Sequence, residues 1–324
     1  MKMENGKLKF GISLYSFSDS FYTRELDIEG CIRRAKELGY TGVTLVAAQS
    51  AREYPFISDE WLYRLRDIME KYEMEPVCWE GYLDIGMRSD RDMNQEELAE
   101  YTRNDIVYAK KAGFPMMKTQ HSITPQNFEA MLPFCEKMDI KLNIEMHYPH
   151  HPHVPVWLEY FKIMEKSGGY LGACPDLSIF QKYPHQLHID QAVEAGFRED
   201  KLEAVLSMIR NKKPMEEAEA LGLNDVEKRF TDEFYHKFSN PSDIKELAPL
   251  LKYAQMLHGK FYYLGEDEYD PCIPYEEIMP ILKTEQYGGY LIAEYEGHHF
   301  SIRENESQQL ERYSKMTKKL YENA

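Results

Sequence analysis

The stretch "IEMHYPHH", residues 144–151, ends an apolar run in one carboxylate and three imidazoles: Glu145, His147, His150 and His151. In an extended chain successive side chains point to opposite faces, so Glu145 and His147 share a face. The pattern recurs along the chain. "MMKTQHS" runs into His121, "ACPDLS" carries Asp176, "MLHGKF" carries His258 with Lys260 two residues on, and "LIAEYEG" carries Glu294 with Glu296 two residues on. Carboxylates crowded in an apolar setting repel one another and take up protons, and a divalent cation among them reverses that penalty. Glu145, Asp176, His258 and Glu294 therefore form a candidate ligand set. Three oxygen donors and one imidazole suit Mn²⁺, Mg²⁺, Co²⁺ or Zn²⁺ without choosing between them. Lys260, on the same strand face as His258, is a candidate catalytic helper that would polarise a bound carbonyl, and His121, Glu296 and His298 are candidates to touch a substrate. Any one of these residues alone reads more simply as a surface group or a satisfied core polar. The recurrence at five apolar runs argues for a site. His150, His151 and His153 follow the run among prolines and read as loop, with at most one of them at a substrate. The 24 Tyr and 15 Phe read as packing.

Placing these groups at one rim demands a particular order of elements. Extended apolar runs cover 8–17, 41–48, 75–82, 115–122, 140–148, 170–180, 256–265 and 289–299. Helical patterns lie between or after them at 27–40, 58–74, 94–114, 124–139, 156–168, 243–255, 275–288 and 305–321. Ser58 is a good helix N-cap by type, and Gly113 marks a helix end. This alternation is what a (β/α)8 TIM barrel requires, with the active site at the C-terminal ends of the strands. An open doubly wound sheet is the alternative, because alternation alone does not prove closure. No G-x-G-x-x-G follows the first strand, so a dinucleotide fold gains no support. Residues 181–242, polar and helix-prone, exceed what one barrel unit needs. They read as a helical insertion between strands 6 and 7 at the mouth of a single domain spanning 1–324, as a lid or a subunit contact.

Composition narrows the function. A net charge of −16 argues against a nucleic-acid partner, whose binding is driven by Lys and Arg on phosphates. No apolar segment reaches the roughly 18 residues of a membrane span, and "MKMENGKLKF" lacks the apolar region of a secretory leader. Five scattered cysteines without a C-x-x-C read as reduced thiols in a cytoplasmic protein.

The order Glu145 in "NIEMH", Asp176 in "PDLS", His258 in "HGK" and Glu294 in "IAEYEG" resembles the xylose-isomerase-like TIM-barrel superfamily. That group holds sugar phosphate isomerases and epimerases, inosose dehydratases and apurinic endonucleases. The resemblance spans nearly the whole chain, from "GISLYSF" to "AEYEG". Within the superfamily the chain is most similar to the α subunit of C-glycoside deglycosidases. That likeness implies one divalent ion, Mn²⁺ first, holding a 3-oxo sugar, with His147 as the acid/base. It implies elimination that cleaves the C–C bond to the aglycone, and a small β subunit completing the enzyme. The alternatives are a sugar isomerase or epimerase working through an enediolate, and a non-catalytic sugar-binding barrel. "NIEMHYPHH" lacks the Arg-Phe-Glu turn of the 3-epimerases, and the acidic charge does not suit the DNA-binding endonucleases.

Overall fold

Strands that are buried on both faces can form a barrel only if each is covered outside by a helix and inside by its neighbours' side chains. In this protein, seen as a computed structural model that describes residues 6–82, 85–301 and 304–324, every residue of four of the strands is buried. Residues 1–5, part of the stretch read for a leader, lie outside the described residues. The strands are β1 (Lys9–Ser13), β2 (Gly42–Val46), β3 (Glu75–Glu80), β4 (Met116–Thr119), β5 (Lys141–Met146), β6 (Leu171–Pro175), β7 (Met256–Phe261) and β8 (Tyr290–Tyr295). All pair in parallel in the order β6-β5-β4-β3-β2-β1-β8-β7. Isolated bridges Ala173↔Ala254 and Asp176↔His258 join β6 to the β7 side, and Gln255 N–H donates to the Ala173 carbonyl at 3.0 Å. The sheet thus comes round on itself, as a barrel and not as an open sheet.

The helices form where the apolar spacing is helical. Ile28–Glu37 buries Cys31, Ile32 and Ala35, and Asp27 caps it by accepting from Gly30 N–H at 2.8 Å. Gln95–Ala112 begins with a capping box of Asn94 and Glu97 and ends at Gly113, whose φ of 87° suits glycine. Ser58 does occupy the N-cap of Asp59–Lys71, but its hydroxyl makes no capping bond. Several expectations change at the edges of elements. The run over 170–180 is strand only to Pro175 and a 3-10 helix at Leu177–Phe180, and the run over 289–299 is strand only to Tyr295. The helix over 124–139 divides into Pro125–Ala130 and Leu132–Met138. The first strand stops at Ser13, and Leu14–Phe17 turn into a 3-10 helix. The helix expected over 243–255 shrinks to Ile244–Glu246 and Leu247–Leu250. In these last two cases the apolar residues are buried, but chain direction is set by packing against the barrel.

Inside the barrel, Cys78, Cys174, Met256, Tyr290 and Ile292 from four strands meet as a small apolar cluster. Gly42 leaves room for it, since a Cβ there would stand 2.8 Å from the Tyr290 ring. Two residues beyond three of these side chains, on the same faces, come Glu80, Asp176 and Glu294, and His258 follows Met256 in the same way. Strand alternation therefore converts an apolar floor into a polar layer above it.

Residues 181–242 contain the helices Gln186–Glu194, Glu199–Arg210, Met215–Glu219 and Asp225–Phe238. They bury their own apolar cluster around Phe197, Leu202, Val205, Phe230 and Phe234. Arg198 locks to Glu227 at 2.6 Å. At the base, Ser242 N–H donates to the Ile179 carbonyl at 2.9 Å, and His151 Nδ1 meets Ser242 Oγ at 2.8 Å.

Asp105 supports the end of β3. It is buried and accepts from Trp79 Nε1 at 2.8 Å and from the Tyr54 hydroxyl at 3.1 Å. A Cβ on Gly81 would lie 2.7 Å from its Oδ2. Burial raises its carboxyl to about 7, against the pull of those two bonds. The folded state therefore holds the Asp105 proton more tightly than the unfolded state does, so its contribution to stability falls as pH rises from about 4 to about 7. In urea unfolding, wild type should lose on the order of 2 kcal/mol relative to Asp105→Asn between pH 5 and pH 8. Parallel pH dependences for the two proteins would remove this account.

Candidate metal centre and active site

The C-terminal ends of the strands surround a cavity of about 460 Å³. Glu145 on β5, Asp176 just after β6, His258 on β7 and Glu294 on β8 all turn inward and are buried. One donor atom from each comes within 4.8 Å of the others, a spacing that could hold a metal ion. His258 Nδ1 lies 3.0 Å from Glu145 Oε1 and 3.0 Å from Glu294 Oε2. Yet His258 Nδ1 and Glu294 Oε2 make no aligned hydrogen bond among the described residues. Donor atoms that converge without bonding one another suit a cation between them. Asp176 is fixed from the other side, because its Oδ1 accepts from Ser178 N–H at 2.8 Å.

Two lysines offset the carboxylates. Lys118 on β4 sits 2.9 Å from Glu145 Oε2 and 3.1 Å from Glu80 Oε2. Lys260 on β7 reaches Glu296 at 2.6 Å, Glu294 at 2.9 Å and Asp176 at 3.2 Å. Burial pushes the Glu145 carboxyl up, but Lys118 and His258 outweigh it and hold it well below the ordinary range. Glu294 behaves alike, with His258 and Lys260 overcoming burial. Glu145 and Glu294 are therefore held as carboxylates, the form that binds a cation.

His147 follows β5 and lines the cavity. Its Nδ1 lies 2.6 Å from the Tyr148 carbonyl oxygen. A carbonyl can only accept, so Nδ1 carries a proton, and in the neutral ring the lone pair is on Nε2. Behind it stand His121 and His150, with ring centroids 5.7 Å from His147 to His121 and 4.2 Å from His121 to His150. Burial, then the neighbouring imidazoles, lowers the pKa of both, His150 to about 4. Trp157 Nε1 donates to His150 Nδ1 at 3.0 Å.

The residues named from sequence are thus brought together unevenly. Glu145, Asp176, Glu294, His147, Lys260 and Glu296 line the cavity. His258 lies at its floor, fully buried among the ligands. His121 and His298 do not line it. His298 packs against Tyr15 and Tyr295, and the next residue, His299, faces the cavity with a short contact to the Tyr15 hydroxyl. Of the three loop histidines only His151 lines the cavity, while His153 stacks on it. Sequence reasoning missed Tyr15, Glu80 and Lys118. It also missed a wall supplied by the insertion and neighbouring loops, where His185 stacks on Tyr262 at 4.1 Å beside Phe238 and Phe300. Glu80 carried a usable signal, since it ends a strand in "CWEG" much as Glu294 does in "IAEY".

Residues 32–320 match the model of the xylose isomerase-like TIM barrel family. The chain is 30% identical over 315 residues to the 3'-dehydrocarminate deglycosidase alpha subunit of a Microbacterium species, covering 90% of this chain and 89% of that protein. It is 28% identical to the C-glycoside deglycosidase alpha subunit of Microbacterium trichothecenolyticum, covering 90% and 84%. The D-allulose 3-epimerase of a Methylomonas species shares the fold, with a TM-score of 0.58 at 9% identity over 97% of this chain and 98% of that one. Among the described residues no helix is long and apolar enough to cross a membrane.

If the four buried donors bind a cation, purified protein should carry about one divalent ion per chain. Glu145→Ala and Glu294→Ala should each lose most of it while retaining the fold, as read by elemental analysis and circular dichroism. Wild-type protein free of metal and indifferent to added Mn²⁺ would remove the centre.

Proposed function

This chain belongs to the xylose isomerase-like TIM barrel family, and we propose that it is a divalent-metal-dependent enzyme cleaving the C–C bond of a 3-oxo C-glycoside. The observation that carries the reading is the pairing of a metal-ready cluster with His147, which lines the same cavity and has its Nδ1 engaged by the Tyr148 carbonyl, leaving Nε2 for chemistry. The names of the two bacterial relatives supply the substrate class. A cavity of about 460 Å³ lies within the roughly 300–1,000 Å³ usual for small-molecule sites.

Glu145, Asp176, His258 and Glu294 would hold the ion, Mn²⁺ in our reading. When bound, it supplies positive charge to a carbonyl oxygen and a neighbouring hydroxyl, which acidifies the intervening C–H. His147 Nε2 takes that proton. The electron pair forms a C=C bond in the sugar ring, the bond to the aglycone breaks, and the aglycone carbon takes a proton from the imidazolium. Lys260, spanning Glu294, Glu296 and Asp176, partly offsets their charge and would offer its ammonium to a substrate oxygen. Glu296 and His299 offer an acceptor and an imidazole to sugar hydroxyls. The name "alpha subunit" borne by both relatives supports a further element of the proposal, a small partner subunit completing the enzyme.

His147→Ala should lower turnover of a 3-oxo C-glycoside by roughly 10²–10⁴, the usual range for a lost general acid–base, with metal content unchanged. A free ketose assayed beside it tests the isomerase alternative. Full turnover in the variant on every accepted substrate would exclude His147 as the base, and loss of the metal would make it a ligand instead.

A further inference from the structure

Glu80 is almost wholly buried at the end of β3, yet it is outside the four-residue ligand cluster. Its Oε1 lies 3.4 Å from His258 Nε2, the ring nitrogen opposite the one that faces Glu145 and Glu294. Both atoms are buried and, among the described residues, neither has an aligned hydrogen bond, so a small turn of the ring would pair them. Its Oε2 lies 3.1 Å from Lys118 Nζ, and the same ammonium is 2.9 Å from Glu145 Oε2. The four side chains therefore form a closed circuit. It runs from Glu80 to His258, to Glu145, to Lys118 and back. Two members are candidate ligands and two are not.

The backbone builds this circuit. Glu80 and Lys118 are Cα partners in the β3–β4 ladder, so parallel register sets the carboxylate beside the ammonium. Lys118 sits one strand from Glu145, which is on β5. Below the pair, Asp105 and Trp79 occupy the space under β3 and Gly81 fits against them, so the strand end cannot easily shift.

We propose that Glu80 and Lys118 are the positioning pair of the metal centre. Glu80 receives the Nε2–H of His258 and so presents Nδ1 as the ligand atom, while Lys118 fixes the carboxylate of Glu145. An imidazole held by a carboxylate on its far nitrogen keeps one tautomer and one ring orientation and is a stronger donor to a metal. Neither residue touches the ion. Lys118 also neutralises Glu80, which otherwise would be a buried lone charge. The inference rests on the reading of the cluster as a metal site, not on the identity of the sugar.

The test uses metal alone. Chelator-stripped wild type, Glu80→Gln, Glu80→Ala, Lys118→Met and the Glu80→Gln/Lys118→Met pair are titrated with Mn²⁺ by electron paramagnetic resonance. Thermal melts of the metal-free proteins confirm folding. Glu80→Ala and Lys118→Met should weaken Mn²⁺ binding by about 10–100-fold. Glu80→Gln should lose less, because its amide oxygen still accepts from Nε2–H. The double variant should lose less than the product of its two singles, since with a neutral residue at position 80 the loss of Lys118 no longer leaves that carboxylate unpaired. The Co²⁺ absorption spectrum should change in Glu80→Ala, a readout that a merely structural role would not move. Nitrogen NMR of Zn²⁺-loaded wild type, which needs no variant to fold, should show His258 metal-bound at Nδ1 and protonated at Nε2. Variant affinities indistinguishable from wild type, or metal on Nε2, would overturn the proposal. Wild type that binds no Mn²⁺ would overturn the metal reading and this one with it, whereas normal wild-type binding with unaffected variants would overturn this one alone.

Discussion

Negative charge crowded at one end of a barrel is the constraint that organises this protein. Glu80, Glu145, Asp176 and Glu294 are all buried there, with Glu296 beside them. Side by side in a poorly solvated space, such carboxylates repel and would take up protons. Two buried lysines, one imidazole and a cation-sized gap between four donor atoms answer that repulsion. Lys118 comes from β4, His258 and Lys260 from β7, and the gap is framed from β5 to β8, so the charge balance exists only once the barrel is closed.

That dependence explains why the fold and the site are hard to separate. The polar layer sits directly above the apolar layer of Cys78, Cys174, Met256 and Ile292, on the same side-chain faces. A slip of one residue in any strand would send its acid outward and an apolar residue into the site. Parallel register, the buried faces of the strands and the glycine at position 42 that admits Tyr290 hold the layers in place. The site is thereby carried on rigid elements, which suits a centre whose donors must keep fixed positions.

The remainder of the cavity is built differently. Its upper wall comes from loops and from residues 181–242, which bring His185, His188, Lys237 and Phe238 to the opening. This segment has an apolar cluster of its own and is tied to the barrel at Ser242. Candidate metal ligands at the strand ends and cavity-lining groups on an insertion would let one be varied without disturbing the other.

Much of the strand-borne chemistry was legible in the residues alone. Period-two alternation placed Glu145 with His147 and His258 with Lys260 on common faces, and the alternation of apolar runs with helical patterns implied the barrel. The four-residue cluster follows from those two facts, because every strand of a barrel delivers its C-terminal end to the same rim. Glu80 and Lys118 were not found, although Glu80 ended its strand in the same manner, because their role depends on pairing across β3, β4 and β7. Nor could the sequence choose between His298 and His299, or find Tyr15, since these follow strands into turns where no period governs direction. Along a strand, covalent geometry alone fixes which side chains share a face. Between strands and in loops, direction is set by register and packing, which only the closed tertiary structure supplies.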